Sequence, residues 1–366
     1  MKILQVGLSH NPGGVESFVM NYYRELVNYG VQFDFICMYD SLAYEDEISS
    51  LGGKIFYTSN VKQHPIRFRK ELAQILQEGA YDVIHVNMLS AANIVPLIVG
   101  KKSGVRKVIA HSHNSSTPGI LRKILHYLNK HQITKYATDF FACSEVAGKW
   151  LFEEKILKGN RFRVIHNALN MEKFCYKEAV RQEIRKELQV EGKFVVGHVG
   201  RFEEQKNHDF LIDIFYEIAK ERKDAVLLLI GDGELKEQIM EKVRHYGMEA
   251  KVQFLGVRKD IPQLWNAMDV FVFPSLFEGL PLVVLEAQAS GIYSVMADTI
   301  SREVKIADTV TFLPLDCSVK EWKKCILEMG SVKRTEAQNE AIKVQFQCAG
   351  YDIETAGKRL IEYYKE

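Results

Sequence analysis

No apolar run in this 366-residue sequence reaches the 18 or so residues needed to cross a bilayer as a helix, so no spanning helix is expected. The first apolar stretch, ILQVGLS, is only strand-length and carries no signal-peptide cleavage pattern. A cytoplasmic location is therefore expected, extending at most to the inner face of the cell membrane. No pair of the six cysteines (Cys37, Cys143, Cys175, Cys317, Cys325, Cys348) stands in a CxxC spacing, which argues against a zinc site or a disulfide framework. GxGxxG and GxxxxGK[ST] are both missing, so hydride transfer and P-loop chemistry lose their main support. A DxD metal motif is also missing, and no resident metal or cofactor is expected.

What is present describes a two-domain globular protein. The length exceeds one ordinary core, and 47% apolar with 26% charged residues is far from a disordered composition. Net charge is only +1, yet residues 1 to 170 hold 20 Lys and Arg against 14 Asp and Glu, or +6, and the remainder 28 against 33, or −5. The basic half could face an anionic surface and so make peripheral membrane contact, and no nucleic-acid partner is expected.

The stretch FPSLFEGLPLVVLEAQASG, Phe273 to Gly291, organises the chain. Val270 to Phe273 reads as a strand, and Pro281 marks a first helical position, where a missing N–H costs nothing. The amides of Leu282 and Val283, with those of Gly279 and Leu280 in the loop, then form an anion site at the positive end of a helix. Glu278 precedes that end and Glu286 lies eight residues on, roughly 12 Å away at 1.5 Å per helical residue. A nucleoside diphosphate sugar spans such a gap, with Glu278 on the sugar hydroxyls and Glu286 on the ribose diol.

Upstream, a strand at Ile3 to Leu8 runs through Gly13 and Gly14 into a helix, and glycines there let a ligand approach the backbone. Short apolar runs alternating with helical stretches, up to Arg163 to Ile165, indicate a helix-wound parallel sheet. The strand before HSHNSSTPG delivers His111 and His113 to a polar loop. In ILRKILHYLNKHQITKY, Leu121, Ile124, Leu125 and Leu128 share one helical face, and Arg122, Lys123, His126 and Lys130 share the other. The apolar face is expected to pack on its own sheet, although the helix could rest on anionic headgroups with help from Lys62, Arg67, Arg69 and Lys70. The dense acidic cluster YEDEI, Tyr44 to Ile48, reads as a solvated helix start.

After a crossing near residues 166 to 178, a second α/β pattern begins. Strand Phe194 to Val199 enters GRFEEQKNH, where Arg201 and Lys206 flank a loop suited to gripping a diphosphate. Strand Val252 to Leu255 enters GVRKDI, whose Gly256 to Arg258 backbone could contact a base. A last helix is expected from Asp352 to Tyr364.

The order GGVES, HSHN, ACSE, HVGRFEEQKNH, LLIGDGEL, FLGVRKDI and PSLFEGLPLVVLEAQASG resembles family 4 of the retaining nucleotide-sugar glycosyltransferases, in the bacterial branch that builds capsular and exopolysaccharides. The resemblance implies an α/β fold of the GT-B type, two Rossmann-like domains facing each other across a cleft. Residues 1 to 170 would form the acceptor-binding domain and 171 to 350 the nucleotide-sugar domain, with 351 to 366 a helix packing back on the first. It further implies that Arg201 and Lys206 bind the diphosphate, that Glu286 binds the ribose, and that Glu278 with Gly279 and Leu280 holds the transferring sugar. Gly13 and Gly14 would close over the diphosphate or acceptor, and His113 would lie near the transferred sugar. Catalytic roles thus fall on Glu278, His113, Arg201 and Lys206. The chain departs from the family pattern at Ala168, where a glycine turn is usual, and at Tyr293, where proline is.

Resemblance also implies retained stereochemistry, a UDP-linked hexosyl or N-acetylhexosaminyl donor and a lipid-linked oligosaccharide or other glycan as acceptor. With no convincing carboxylate nucleophile, a same-face displacement is favoured, in which the leaving phosphate oxygen takes the acceptor proton. No motif encodes which sugar is moved. A sugar-nucleotide epimerase of the same fold and a non-catalytic subunit of a membrane-associated transferase remain as alternatives.

Overall fold

The computed structural model describes the whole chain, Met1–Glu366. It divides into two compact units: Met1–Leu169 with Gly350–Glu366, and Asn170–Ala349.

The first unit is built on a seven-stranded sheet whose neighbouring strands are all parallel. Its strands are β1 (Lys2–Val6), β2 (Gln32–Cys37), β3 (Ile55–Tyr57), β4 (Val83–Met88), β5 (Lys107–Ser112), β6 (Asp139–Ala142) and β7 (Phe162–Val164), in the order β3-β2-β1-β4-β5-β6-β7. The winding direction reverses between β1 and β4, and in such sheets ligands gather beyond the carboxyl ends of the strands at that point.

Period-two alternation sorts the strands between two cores. Ile3, Val83 and Ile109 join Phe18, Tyr22 and Tyr23 of the Gly14–Leu26 helix and Leu360 and Tyr364 of the Ile353–Lys365 helix. Leu4, Val6, Ile84, Val86, Val108 and Ala110 join Phe68, Leu72 and Leu76 of the Pro65–Gly79 helix on the other face. The last helix of the chain is thus part of the first unit. Gly7 holds φ at +109°, and a Cβ there would fall 2.2 Å from the Asn87 carbonyl oxygen, so the chain leaving β1 lies directly against β4.

The Ile120–Lys130 helix is oriented opposite to expectation. Its buried residue is His126, stacked on Trp150 at 4.1 Å between ring centroids, with Nδ1 accepting the Ala91 N–H at 3.1 Å. Leu121, Ile124 and Leu128 are instead 71%, 51% and 63% exposed. The reason is that the sheet face is already covered by the Pro65–Gly79, Val95–Lys102 and Glu145–Leu151 helices, leaving the extra helix a seat only on the Ala91 turn and Trp150.

The second unit repeats the architecture with six parallel strands: β8 (Phe194–Val199), β9 (Ala225–Ile230), β10 (Val252–Gly256), β11 (Val270–Phe273), β12 (Tyr293–Ala297) and β13 (Val310–Leu313). Their order is β10-β9-β8-β11-β12-β13, so the reversal falls between β8 and β11. The loops that leave these two strands are GRFEEQK and PSLFEG, which makes them spatial neighbours by topology. At Ala168 the chain turns tightly, its N–H reaching the His166 carbonyl at 2.9 Å, so alanine suffices where a glycine is usual.

Candidate functional site

The loops after β8 and β11 are joined by four interactions. Leu276 N–H donates to the Gln205 carbonyl at 2.8 Å, Gln205 Nε2 to the Phe277 carbonyl at 2.9 Å, and Asn207 Nδ2 to the Pro274 carbonyl at 3.1 Å. The fourth brings two expected site residues together: Lys206 Nζ lies 2.5 Å from Glu278 Oε1, with the two side chains 15% and 8% exposed. The ammonium also sits 4.7 Å from the Phe273 ring centroid, and its stem passes over Gly200, where a Cβ would meet it at 3.3 Å. An ammonium has three donors, so this one can hold Glu278 and still donate to a phosphate.

The helix beyond this pair runs Leu282–Ala289, with Pro281 as its N-cap in an extended conformation (ψ 113°) rather than as its first helical residue. The difference of one position follows from the ring, which fixes φ but leaves ψ free. No side chain caps this end and its first turn has no acid. The first N–H to find an acceptor is that of Val284, on the Pro281 carbonyl at 3.1 Å. The Leu280, Leu282 and Val283 amides have no protein acceptor, which leaves them free to bind an anion with the helix dipole behind them, while the chain at Glu278 bridges Ile300 in parallel. A Cβ on Gly279 would meet nothing within 4 Å, so this loop is open on that side.

Glu286 lies one and a half turns on, keeping a partly exposed edge but otherwise enclosed. Burial pushes its carboxyl up to about 7, and the Trp265 indole opposes this only in part. Trp265 is fully buried on the Ile261–Ala267 helix and its N–H makes no hydrogen bond of normal geometry. Sequence reasoning missed Trp265, because no local pattern connects it to a helix twenty residues away.

Two expected residues are not gathered with these. The Arg201 side chain is 76% exposed and pairs with Glu203 at 3.0 Å. Arg258 is held by Asp260 Oδ1 and Oδ2 at 2.8 and 2.6 Å and by Glu187 Oε1 at 3.2 Å, so its guanidinium is committed. Gly256 closes β10 at φ +66°, its carbonyl accepting the Gly231 N–H at 2.9 Å.

In the first unit, Gly13 is the N-cap of the Gly14–Leu26 helix and Gly14 its first residue, where a Cβ would meet nothing within 4 Å. Beside that helix, β4 and β5 carry a chain of neutral polar groups. Tyr364 OH lies 2.8 Å from His85 Nδ1, and His85 Nε2 lies 2.9 Å from His111 Nδ1. The His111 and His113 rings are 4.0 Å apart, and His113 Nε2 lies 2.9 Å from Asn87 Oδ1.

Asn87 Nδ2 donates to Gln5 Oε1 and the Val6 carbonyl at 3.0 and 3.2 Å, so its Oδ1 is the acceptor and His113 carries its proton on Nε2. The Nδ1 lone pair of His113 remains for a hydroxyl donor. Burial lowers His85 and His113 to about 3 and moves His111 down as well, so all three are neutral at ordinary pH. The sequence had given His111 and His113; His85 and Asn87 are a second alternating pair on the adjacent strand, a signal that could have been found.

Comparison with known proteins follows the same two units. Residues 12–173 match the family described as "Glycosyltransferase Family 4", and residues 193–329 match "Glycosyl transferases group 1". EpsF of Bacillus subtilis (strain 168), a glycosyltransferase by name, is 32% identical over 371 residues, covering 99% of this chain and 96% of EpsF. An Escherichia coli UDP-Gal:alpha-D-GlcNAc-diphosphoundecaprenol alpha-1,3-galactosyltransferase is 28% identical over 236 residues, 62% of this chain and 60% of that enzyme. Among solved structures, Anabaena Alr3699/HepE in complex with UDP superposes with a TM-score of 0.80 at 21% identity, each chain covered in full. That likeness establishes the fold.

Proposed function

Because the chain belongs to glycosyltransferase family 4 and is a glycosyltransferase of polysaccharide biosynthesis, we propose that it moves a hexosyl or N-acetylhexosaminyl unit from a UDP-sugar to a lipid-linked glycan with retention of configuration. The observation that carries this reading is the Lys206–Glu278 pair at 2.5 Å beside three amides without a protein acceptor, with Glu286 on the same short helix. A cation and a helix N-terminus suit a diphosphate, and carboxylates on either side suit hydroxyl groups. The UDP in the HepE complex and the diphosphoundecaprenol acceptor of the E. coli relative support the donor and acceptor classes.

In the reaction the sugar–phosphate bond breaks while the acceptor hydroxyl attacks from the same face. The departing phosphate oxygen takes the hydroxyl proton. Lys206 and the Leu280, Leu282 and Val283 amides stabilise the charge growing on that phosphate, electrostatic preorganisation that needs no metal ion. Glu278 orients the transferring sugar and Glu286 the ribose. His113, neutral and presenting Nδ1, accepts from a sugar hydroxyl and does not act as a proton donor. Arg201, on its exposed loop, contributes to the diphosphate only by swinging away from Glu203.

The test is turnover of UDP-sugars in EDTA with an undecaprenyl-diphosphate glycan, the product analysed by mass spectrometry and by NMR of the new anomeric centre. Transfer with the donor's anomeric configuration supports the reading. An inverted product, a strict metal requirement, or a new nucleotide sugar formed from donor alone, as an epimerase would give, contradicts it.

A further inference from the structure

Arg181 and Arg185 stand four residues apart on the Glu178–Glu187 helix, a spacing at which like charges repel unless an anion faces them. Asp269, the residue before β11, supplies that anion. Its Oδ1 pairs with Arg181, and its Oδ2 accepts from Arg185 Nη2 at 2.6 Å and from the Val195 N–H at 2.7 Å. A third guanidinium, that of Arg334, follows the Val319–Gly330 helix and meets only carbonyls and a ring. Its Nη2 donates to the Trp265, Asn266 and Met268 carbonyls at 2.9, 3.0 and 2.5 Å and its Nη1 to the Ser290 carbonyl at 3.2 Å, while its Cζ lies 4.6 Å over the Tyr176 ring centroid.

No carboxylate pairs with Arg334, and its Nε–H is left over for another acceptor. Desolvation, reinforced by Arg181, lowers its pKa to about 9, so the positive charge is held here at a cost. Beside it opens a cavity of about 260 Å³, whose lining includes Tyr176, Glu178, Arg181, Asp269, Lys333 and Arg334. That is far above the roughly 10–15 Å³ that admits one water molecule.

Three cations line this cavity against two carboxylates, and both carboxylates are already engaged: Asp269 by the arginines, Glu178 by the Tyr176 hydroxyl and by Gln182 Nε2 at 3.2 Å. We propose that the cavity binds a phosphoryl group, with Arg181 and Arg334 as planar donors and the exposed Lys333 as a point charge at its rim. It lies where β11 begins, at the amino end of the second sheet, whereas Glu278 follows the carboxyl end of the same strand. The two anion sites are therefore distinct, and this one stands independently of the reaction assigned above.

Calorimetric titration with inorganic phosphate at constant ionic strength tests it, on wild type, Lys206→Ala and Lys333→Glu. Lys206→Ala removes the cation of the other site and should keep one phosphate step of wild-type affinity. Lys333→Glu reverses an exposed charge, so it should weaken that step about tenfold or more while the thermal midpoint without phosphate stays unchanged. Arg334→Gln should abolish it, and if that variant does not fold, Lys333→Glu decides alone. Phenyl phosphate separates the sources of the ligand: affinity equal to that of phosphate assigns the cavity to a phosphorylated molecule, and exclusion of the ester assigns it to the free ion. No phosphate binding by wild type, equal binding by wild type and Lys333→Glu, or binding that disappears in Lys206→Ala overturns the proposal.

Discussion

The two units share a topology, yet one builds its candidate groups with charge and the other without it. In the second unit a lysine and a glutamate meet at 2.5 Å near open amides. In the first, three histidines, an asparagine and a tyrosine interlock as neutral partners inside the sheet–helix interface. The contrast follows from depth. Lys206 and Glu278 stand on loops and keep some contact with water, so their charges survive and pair. His85 and His111 are strand residues with 1% and 0% exposure, where desolvation removes the charged form altogether. One region can offset a developing negative charge, and the other can only orient a neutral group.

That contrast is broken most severely by Lys206→Ala. Loss of a charge-stabilising donor of this kind costs about 3 kcal/mol of barrier, near 10² in kcat at saturating donor. Steady-state rates check it, and unchanged turnover removes Lys206 from the chemistry. The same substitution leaves Glu278 without its partner, so the Lys206→Ala/Glu278→Ala double variant should be more stable than the sum of the single losses allows.

Glu286 is the exception within the charged region, since burial raises it instead of pairing it. Its folded value of about 7 against an ordinary 4.5 means that the folded state holds the proton more tightly, so stability falls as pH rises from 4.5 through 7. The total is on the order of 3 kcal/mol, and Glu286→Gln should recover much of it at pH 8 and little at pH 4.5 in thermal melts. Donor affinity should move the other way: a ribose diol needs the carboxylate, so the dissociation constant should rise up to about tenfold per unit as pH falls below 7.

The histidines carry the opposite sign. Their folded values lie below the unfolded 6.5, so the stability they contribute is present above pH 6.5 and is lost on acidification, at up to about 1.4 kcal/mol per unit and per histidine. Hydrogen exchange in β4 and β5 peptides should therefore accelerate between pH 7 and 5 after correction for intrinsic rates. The smallest effect is expected from Arg201→Ala. An exposed pair is worth about 0.2–1 kcal/mol, so donor KM should change by less than about fivefold. A hundredfold loss there would make Arg201 the equal of Lys206 and erase the distinction drawn from their exposure.

Much of this was legible in the chain because the signals were local. β8 and β11 occupy the same residues in the sequence reading and in the structure, since each is a dense apolar run closed by glycine or proline. β13 was missed: Val310–Leu313 is a half-exposed edge strand with no alternation strong enough to show. The Lys206–Glu278 pair was only half legible. Both residues stood out, but their contact arises from strand order, which places the loops after β8 and β11 together.

The partners of the histidines were hidden for the same reason, Tyr364 lying 279 residues from His85. The Ile120–Lys130 helix shows another limit. Periodicity reveals that a helix has two faces, but which face turns outward depends on whether the sheet beneath is already covered.

The central claim is that the Leu282–Ala289 helix and its loop bind a uridine diphosphate without a metal. Calorimetric titration of the protein with UDP, GDP and ADP in EDTA, repeated on Glu286→Ala, tests it most directly. The account predicts that UDP binds selectively and that the variant weakens it. No binding by any of the three, or UDP affinity unchanged in Glu286→Ala, would contradict it.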